Sequence, residues 1–190
     1  MPLLMGTDLS KYDNRWFTPG HPLKRMAWHY VNCIFFKSGY FPFYRLKVFL
    51  LRLFGAKVGV GVLVKPFVHI KYPWLLQLGN HIWIGEHVWI DNIAMVTIGS
   101  HACISQGAYL LTGNHNYKKS TFDLLPGSIV LEEGVWLGAK CIVCPGITCG
   151  SHSILAVGSV ATAHLEAWYI YQGNPAVRLR PRVMEDRVIK

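Results

Sequence analysis

The sequence predicts an all-β fold: a parallel β-helix of about five triangular coils, led by a helical segment and ended by a short tail. Three observations predict it. An aliphatic or small residue returns every six positions from Val58 to Ala161, through Val64, Ile70, Leu78, Ile84, Ile90, Ile98, Ile104, Leu110, Leu131, Leu137, Val143, Cys149 and Leu155. A second column stands two places before each, from Val62 and Val68 through Cys141 to Ser153 and Ser159, and every member is apolar or small. The departures from six, Ile70 to Leu78 and Ile90 to Ile98 at eight residues and Leu110 to Leu131 at twenty-one, all close a triplet. Two inward positions in six describe a short strand and a corner, and three such units close one coil. Successive coils then pair as parallel strands ~4.8 Å apart.

Residues 1–55 form the leading segment. Apolar residues recur at three and four positions, Met26, Tyr30, Cys33 and Ile34, then Leu46, Phe49, Leu50 and Leu53, which predicts helices over about 21–37 and 43–54. Asn32, Lys37, Gly39 and Pro42 interrupt the apolar run, so no transmembrane segment is expected. Two uses remain open: docking on the main body, and resting on an anionic inner leaflet through Lys24, Arg25, Lys37, Arg45, Lys47 and Arg52 interleaved with aromatic residues. Residues 56–165 form the coils. Gly59, Gly79, Gly85, Gly99, Gly138 and Gly150 each follow an inward aliphatic, where a corner is expected to need unusual dihedrals. One edge carries all the insertions, 71–77, 91–97 and the arm 111–130, and a long structureless arm in a compact repeat is usually functional. Residues 166–190 form the tail.

The 190 residues are 52% hydrophobic and 15% charged, which fits one domain with a real core and excludes a disordered chain or a disulfide miniprotein. Net charge +9 points to an anionic partner: a phosphorylated cofactor, a nucleic acid or a membrane. Basic residues are dispersed and no reading motif is present, so nucleic acid is set aside. Five cysteines and no leader pattern over Met1–Lys11 lead to the expectation of a reducing cytoplasm.

On the arm, Leu-Thr-Gly-Asn-His-Asn-Tyr (111–117) sets His115 about one coil from Asp91 and Asn92. A neutral imidazole is the side chain best suited to take a proton from a hydroxyl near neutral pH. Cys141, Cys144 and Cys149 have the look of a metal motif, but the phase turns Cys141 and Cys149 inward as small apolar residues. His81 and His101 share one place on successive coils and are expected to stack. A zinc-dependent hydratase of the γ-carbonic anhydrase type, which needs a third histidine at a shared edge, and a non-catalytic β-helical scaffold are the alternatives. His69 and His87 lie on other faces of the repeat, which weakens the hydratase.

The motifs Phe-Leu-Leu-Arg-Leu-Phe-Gly-Ala-Lys-Val-Gly (49–59), Lys-Tyr-Pro-Trp (71–74), Ile-Ser-Gln (104–106), Thr-Gly-x-His (112–115) and Gly-Asn-Pro-Ala (173–176) resemble the colanic acid biosynthesis acetyltransferase family of hexapeptide-repeat acyltransferases. The resemblance covers about Asp8 to Arg182. It implies a left-handed β-helix, a homotrimer with sites between adjacent prisms, and acetyl transfer from acetyl-CoA to a sugar or lipid-linked sugar acceptor, without a metal. It also implies that His115 is the catalytic base and that Asn92, Asp91 and Tyr117 meet the acceptor. The acetyl-CoA groove would then run along Trp136, Gly138, Ala139 and Lys140, with Ala156, Gly158 and Thr162 flanking the pantetheine and Arg178 and Arg180 near the phosphates. One departure stands out: Thr162-Ala163-His164 replaces the Thr-Lys often found there, leaving Lys140 or His164 to substitute. The orienting partner of His115 stays open among Asp123, Asp91 and a backbone carbonyl.

Overall fold

A computed structural model describes residues 6–185, so the outermost parts of the leading segment and of the tail lie outside the described residues. Three parallel faces wind around one core. The first stacks Lys57–Val58, Leu76–Leu78, Val96–Ile98, Ile129–Leu131 and Thr148–Cys149. The second stacks Leu63–Val64, Trp83–Ile84, Cys103–Ile104, Trp136–Leu137 and Ile154–Leu155. The third stacks His69–Ile70, Trp89–Asp91, Tyr109–Leu111, Ile142–Val143 and Val160–Ala161. Each register is in step, Ile84 beside Ile104 and Ile90 beside Leu110, as a six-residue side requires. Both inward columns are buried except Val58, which lies half-exposed at the first coil's open end.

Five coils are complete and a sixth is begun. Leu165 bridges Cys149, and Tyr169–Gly173 adds to the second face. The segment expected as a tail is therefore part of the sheet: Ala176–Pro181 folds back antiparallel to Tyr169–Gly173, and Tyr171 turns into the core at 6% exposure.

The glycines that follow inward aliphatics have a different cause from the one expected. None of the six has a positive φ. A Cβ on Gly99 would sit 2.6 Å from the Glu132 carbonyl carbon, and one on Gly138 would sit 2.7 Å from the Val157 amide nitrogen. Coil stacking, rather than dihedral freedom, excludes a side chain there. Left-handed residues lie two places later, at Gly61, His81, His101, Gly134, His152 and Trp168 on one corner and Phe67, His87, Gly107, Lys140 and Gly158 on the next. The histidine rings of the first corner stack as expected, His81 on His101 at 5.4 Å.

Along the strands, each coil's N–H groups donate to carbonyls of the following coil, as in Gly59 to Leu78 and Leu63 to Ile82. At the carbonyls of Val58, Gly59, Lys65 and Ile70 the first coil takes donors from outside the stack, and an edge carbonyl left without one costs stability and invites edge pairing. The leading segment supplies the donors. Helix α1 (Pro22–Val31), extended by a π-helical turn over Asn32–Phe36, brings the Trp28 indole and the Asn32 amide to the Ile70 carbonyl at 2.8 and 3.1 Å. Helix α2 (Tyr44–Leu53) sends Lys47 to the Lys65 carbonyl at 2.9 Å and Arg52 to the Val58 and Gly59 carbonyls. Burial pulls the Lys47 ammonium down to about 8, because the charged form loses water. Trp28, Phe36 and Leu51 close the core above.

Candidate active site

All insertions project from the corner between the third and first faces. Two fully buried polar side chains fix their bases. Thr112 Oγ1 donates to the Asp91 carbonyl at 2.8 Å and accepts from the Ala94 amide. Asn92, expected to meet an acceptor, is instead fully enclosed: its Oδ1 accepts from the Tyr72 amide and its Nδ2 donates to the Tyr72 and Leu75 carbonyls. It clips the 71–75 loop and so positions Lys71 and Tyr72.

The arm is a hairpin rather than a structureless loop, with Gly113–His115 antiparallel to Leu124–Pro126. Pairing with Leu124 holds His115 half-buried. Its ring lies flat on Phe122, 4.4 Å between centroids and 7° between planes, while Nδ1 stands 2.9 Å from the Phe122 carbonyl oxygen. A carbonyl can only accept, so Nδ1 carries a proton, and in the neutral ring the lone pair falls to Nε2. The orienting group is thus a backbone carbonyl. Asp123 is engaged elsewhere, with Lys119 at 2.9 Å, and hydrogen bonds from Thr121 and Lys119 hold its carboxyl below the usual range. Asp91 lies 2.8 Å from Lys71, an ion pair outside good hydrogen-bond angles, and accepts from Tyr109 at 3.4 Å.

His115 opens on a cleft of about 430 Å³ lined also by Tyr12, Asn14, Arg25, Lys71 and Tyr72. Tyr12 reaches it because the segment before α1 is tied to the arm, Asp8 N–H to the Ser120 carbonyl, which brings the Tyr12 ring within 5.7 Å of His115. The sequence gives no periodic signal for Tyr12 or Asn14; Lys71 and Tyr72 lie in the quoted 71–74 motif. Tyr117 does not line this cleft and is 76% exposed on the arm.

The expected acetyl-CoA residues gather elsewhere. Gly138, Ala139, Lys140, Ala156 and Gly158 share the corner between the second and third faces, one side of the prism from the arm. Gly138 to Cys141 forms a turn closed by the Cys141 amide on the Gly138 carbonyl, with Lys140 at φ 56°. Ala139 is the second turn residue, and its N–H has no acceptor among the described residues. On the adjoining face the Trp136 indole donates to Ser105 Oγ at 3.0 Å, fixing a half-exposed ring beside the corner. Thr162 lies on the insertion corner instead, below the arm. Arg178 and Arg180 part company. Arg178 stands opposite Tyr171 toward the end of the prism, paired with Glu166 and lying over Tyr169, while Arg180 stands opposite Ile170 on the outer face.

Cys141 and Cys149 are fully buried, and burial pushes the Cys149 thiol up to about 12. Among the described residues no three His, Cys, Asp or Glu side chains gather as a metal site within the chain.

No protein-family model matches the chain. It is 38% identical over 167 residues to WcaF of Escherichia coli (strain K12), named as a colanic acid biosynthesis acetyltransferase, across 88% of this chain and 92% of that one. The galactoside O-acetyltransferase of Escherichia coli (strain K12) is 25% identical, across 69% of this chain and 66% of its own length. Among solved structures, a hexapeptide-repeat acetyltransferase of Vibrio cholerae superposes with TM-score 0.77 at 24% identity, across 85% of this chain and 92% of that one. At that identity the likeness speaks for the fold, a β-helix of stacked parallel coils. Identity to WcaF over nearly its full length places the chain more narrowly: it belongs to the colanic acid biosynthesis acetyltransferase family and is a hexapeptide-repeat acyltransferase.

Proposed function

We propose that the protein is an acetyl-CoA-dependent O-acetyltransferase that acts on a sugar hydroxyl of a bacterial polysaccharide precursor, with His115 as general base. The observation that carries the reading is the His115 Nδ1 contact with the Phe122 carbonyl, which in the neutral ring puts the lone pair on Nε2, at the mouth of a cleft. The residues at the second corner fit the donor: a free Ala139 amide beside a tryptophan held in place. Acetyl-CoA supplies an activated thioester when bound. His115 Nε2 takes the hydroxyl proton as the sugar oxygen bonds to the thioester carbon, and the Ala139 N–H stabilises the resulting oxyanion. As the carbon–sulfur bond breaks, His115 returns its proton to the departing sulfur, leaving an ester and free coenzyme A.

Base and oxyanion donor lie on different corners of one prism. A working site therefore combines the arm of one protomer with the second corner of its neighbour in a homotrimer. Ala139→Pro removes the N–H at a place where the first coil already carries Pro66, so the turn is retained. Thiol release from acetyl-CoA with a working acceptor is expected to fall about 10²–10³-fold in that variant. Co-expressing Ala139→Pro with His115→Ala restores a fraction of the activity, since mixed trimers contain intact pairs. No recovery would show that each chain works alone.

The leading segment supports peripheral contact with an anionic inner membrane. Leu23, Met26, Tyr30 and Ile34 form an outward stripe along α1 and the turn after it, each about half-exposed or more. Flotation with phosphatidylglycerol vesicles is expected, weakening as salt is raised; equal recovery with neutral vesicles would remove the electrostatic part of this reading.

A further inference from the structure

Beside the His115 cleft lies a second of about 450 Å³, between α1 and the third face. The two share Arg25, Lys71 and Tyr72 and so form one groove with two lobes. Each volume is within the range of small-molecule sites, about 300–1,000 Å³. The lobes differ in chemistry. The His115 lobe presents the Tyr12 and Tyr72 rings and the Asn14 amide, suited to the C–H faces and hydroxyls of one sugar. The other presents Met26 and the half-exposed Trp89, whose ring is stacked between His69 at 5.2 Å and Tyr109 at 4.8 Å.

Charge concentrates where the lobes meet. Arg25 is exposed and forms no ion pair among the described residues. The one carboxylate lining either lobe, Asp91, lies against Lys71 at 2.8 Å, leaving part of the ammonium's donor capacity open. His69 adds no positive charge near neutral pH, since burial and the nearby Lys37 bring it down to about 4. Asn92 holds the backbone on both sides of Tyr72, so Lys71 is presented from a fixed loop.

We propose that this groove binds an acceptor that carries a phosphate or diphosphate ester, held between Arg25 and Lys71, with its sugar in the His115 lobe and its aglycone against Met26 and Trp89. The assignment rests on the transferase reading and deepens it. A sugar phosphate has its anion about one ring away from its free hydroxyls, which matches a cationic junction next to a lobe ending at the base. Nucleotide-linked and polyprenyl-linked sugars share this chemistry. Met26 belongs to both the groove and the outward stripe of α1, which gives a prenyl chain a continuous apolar path out.

The test is calorimetric titration with methyl glucoside, glucose 1-phosphate, UDP-glucose and farnesyl diphosphoglucose, each with and without saturating coenzyme A. The phosphate-bearing probes are expected to bind at least tenfold tighter than the neutral glycoside, and coenzyme A is expected not to displace them. Arg25→Gln and Lys71→Gln each weaken them about tenfold, with coenzyme A affinity unchanged. Asp91→Asn, which frees Lys71, tightens them, a change of sign that damage to the fold would not produce. Tighter binding of the farnesyl than the uridine probe identifies a lipid-linked acceptor, and the reverse a nucleotide-linked one. Equal affinity for the neutral glycoside, or no effect of the two basic variants, overturns the proposal while leaving the His115 and Ala139 chemistry standing. Displacement by coenzyme A overturns it by giving the groove to the donor's own phosphates. Failure of coenzyme A to bind the wild type would end the transferase reading and this proposal with it.

Discussion

His115→Ala is expected to lower kcat/KM for acetyl transfer by about 10²–10⁴-fold, the contribution of a positioned base, while acetyl-CoA affinity stays within about twofold. The physical reason is local. Phe122 supplies both contacts that orient the imidazole, its ring beneath and its carbonyl at Nδ1, and neither contact uses Nε2. Phe122→Ala keeps the carbonyl and loses the stacking, so it is expected to cost about tenfold or less, mostly in kcat, as the ring samples unproductive angles. Single-turnover rates with a saturating acceptor separate this from weaker acceptor binding. A His115→Ala enzyme that retains most of its activity would move the base elsewhere, and Tyr12, whose ring stands 5.7 Å from that of His115, would be next to test.

The coils were legible because a repeat states the same constraint many times. Each inward aliphatic from Val64 to Ala161 is buried, and the insertions fall on one edge as their spacing requires. Such a pattern reports what faces inward, and says little about what stops a side chain from fitting. Gly99 and Gly138 are therefore glycines for a reason visible only when the neighbouring coil is in place. His115 could be singled out because the arm interrupts the repeat. Its partner could not, since the Phe122 carbonyl belongs to the backbone and any residue supplies one. Asn92 illustrates the opposite difficulty. The family resemblance assigns it to the acceptor, yet the 71–75 loop has backbone groups that need partners, and the amide is consumed by them. Tyr12 and Asn14 come to the cleft through a segment with no period at all, so only the fold brings them together with the arm.

Trp28→Ala is expected to destabilise the protein by about 3–5 kcal/mol, a midpoint shift on the order of 10 °C. The side chain is 2% exposed, packs within 5.1 Å of Phe36 and 5.2 Å of Phe54, and donates to the Ile70 carbonyl. Trp28→Phe keeps much of the packing and removes only the donor. Asn32 still reaches the same carbonyl, so the second variant is expected to lose about 1 kcal/mol. Urea unfolding of the variants at one protein concentration measures the difference, the fixed concentration being needed because assembly adds to apparent stability. The comparison has a functional side as well. The same helix turn that caps Ile70 forms the wall of the second lobe, through Arg25, Met26 and His29, whereas the corner around Ala139 lies several coils away. Loosening α1 is therefore expected to weaken binding of phosphate-bearing sugars before it affects coenzyme A. If Trp28→Ala instead weakens both equally, the cap stabilises the whole prism and the leading segment has no separate part in holding the acceptor.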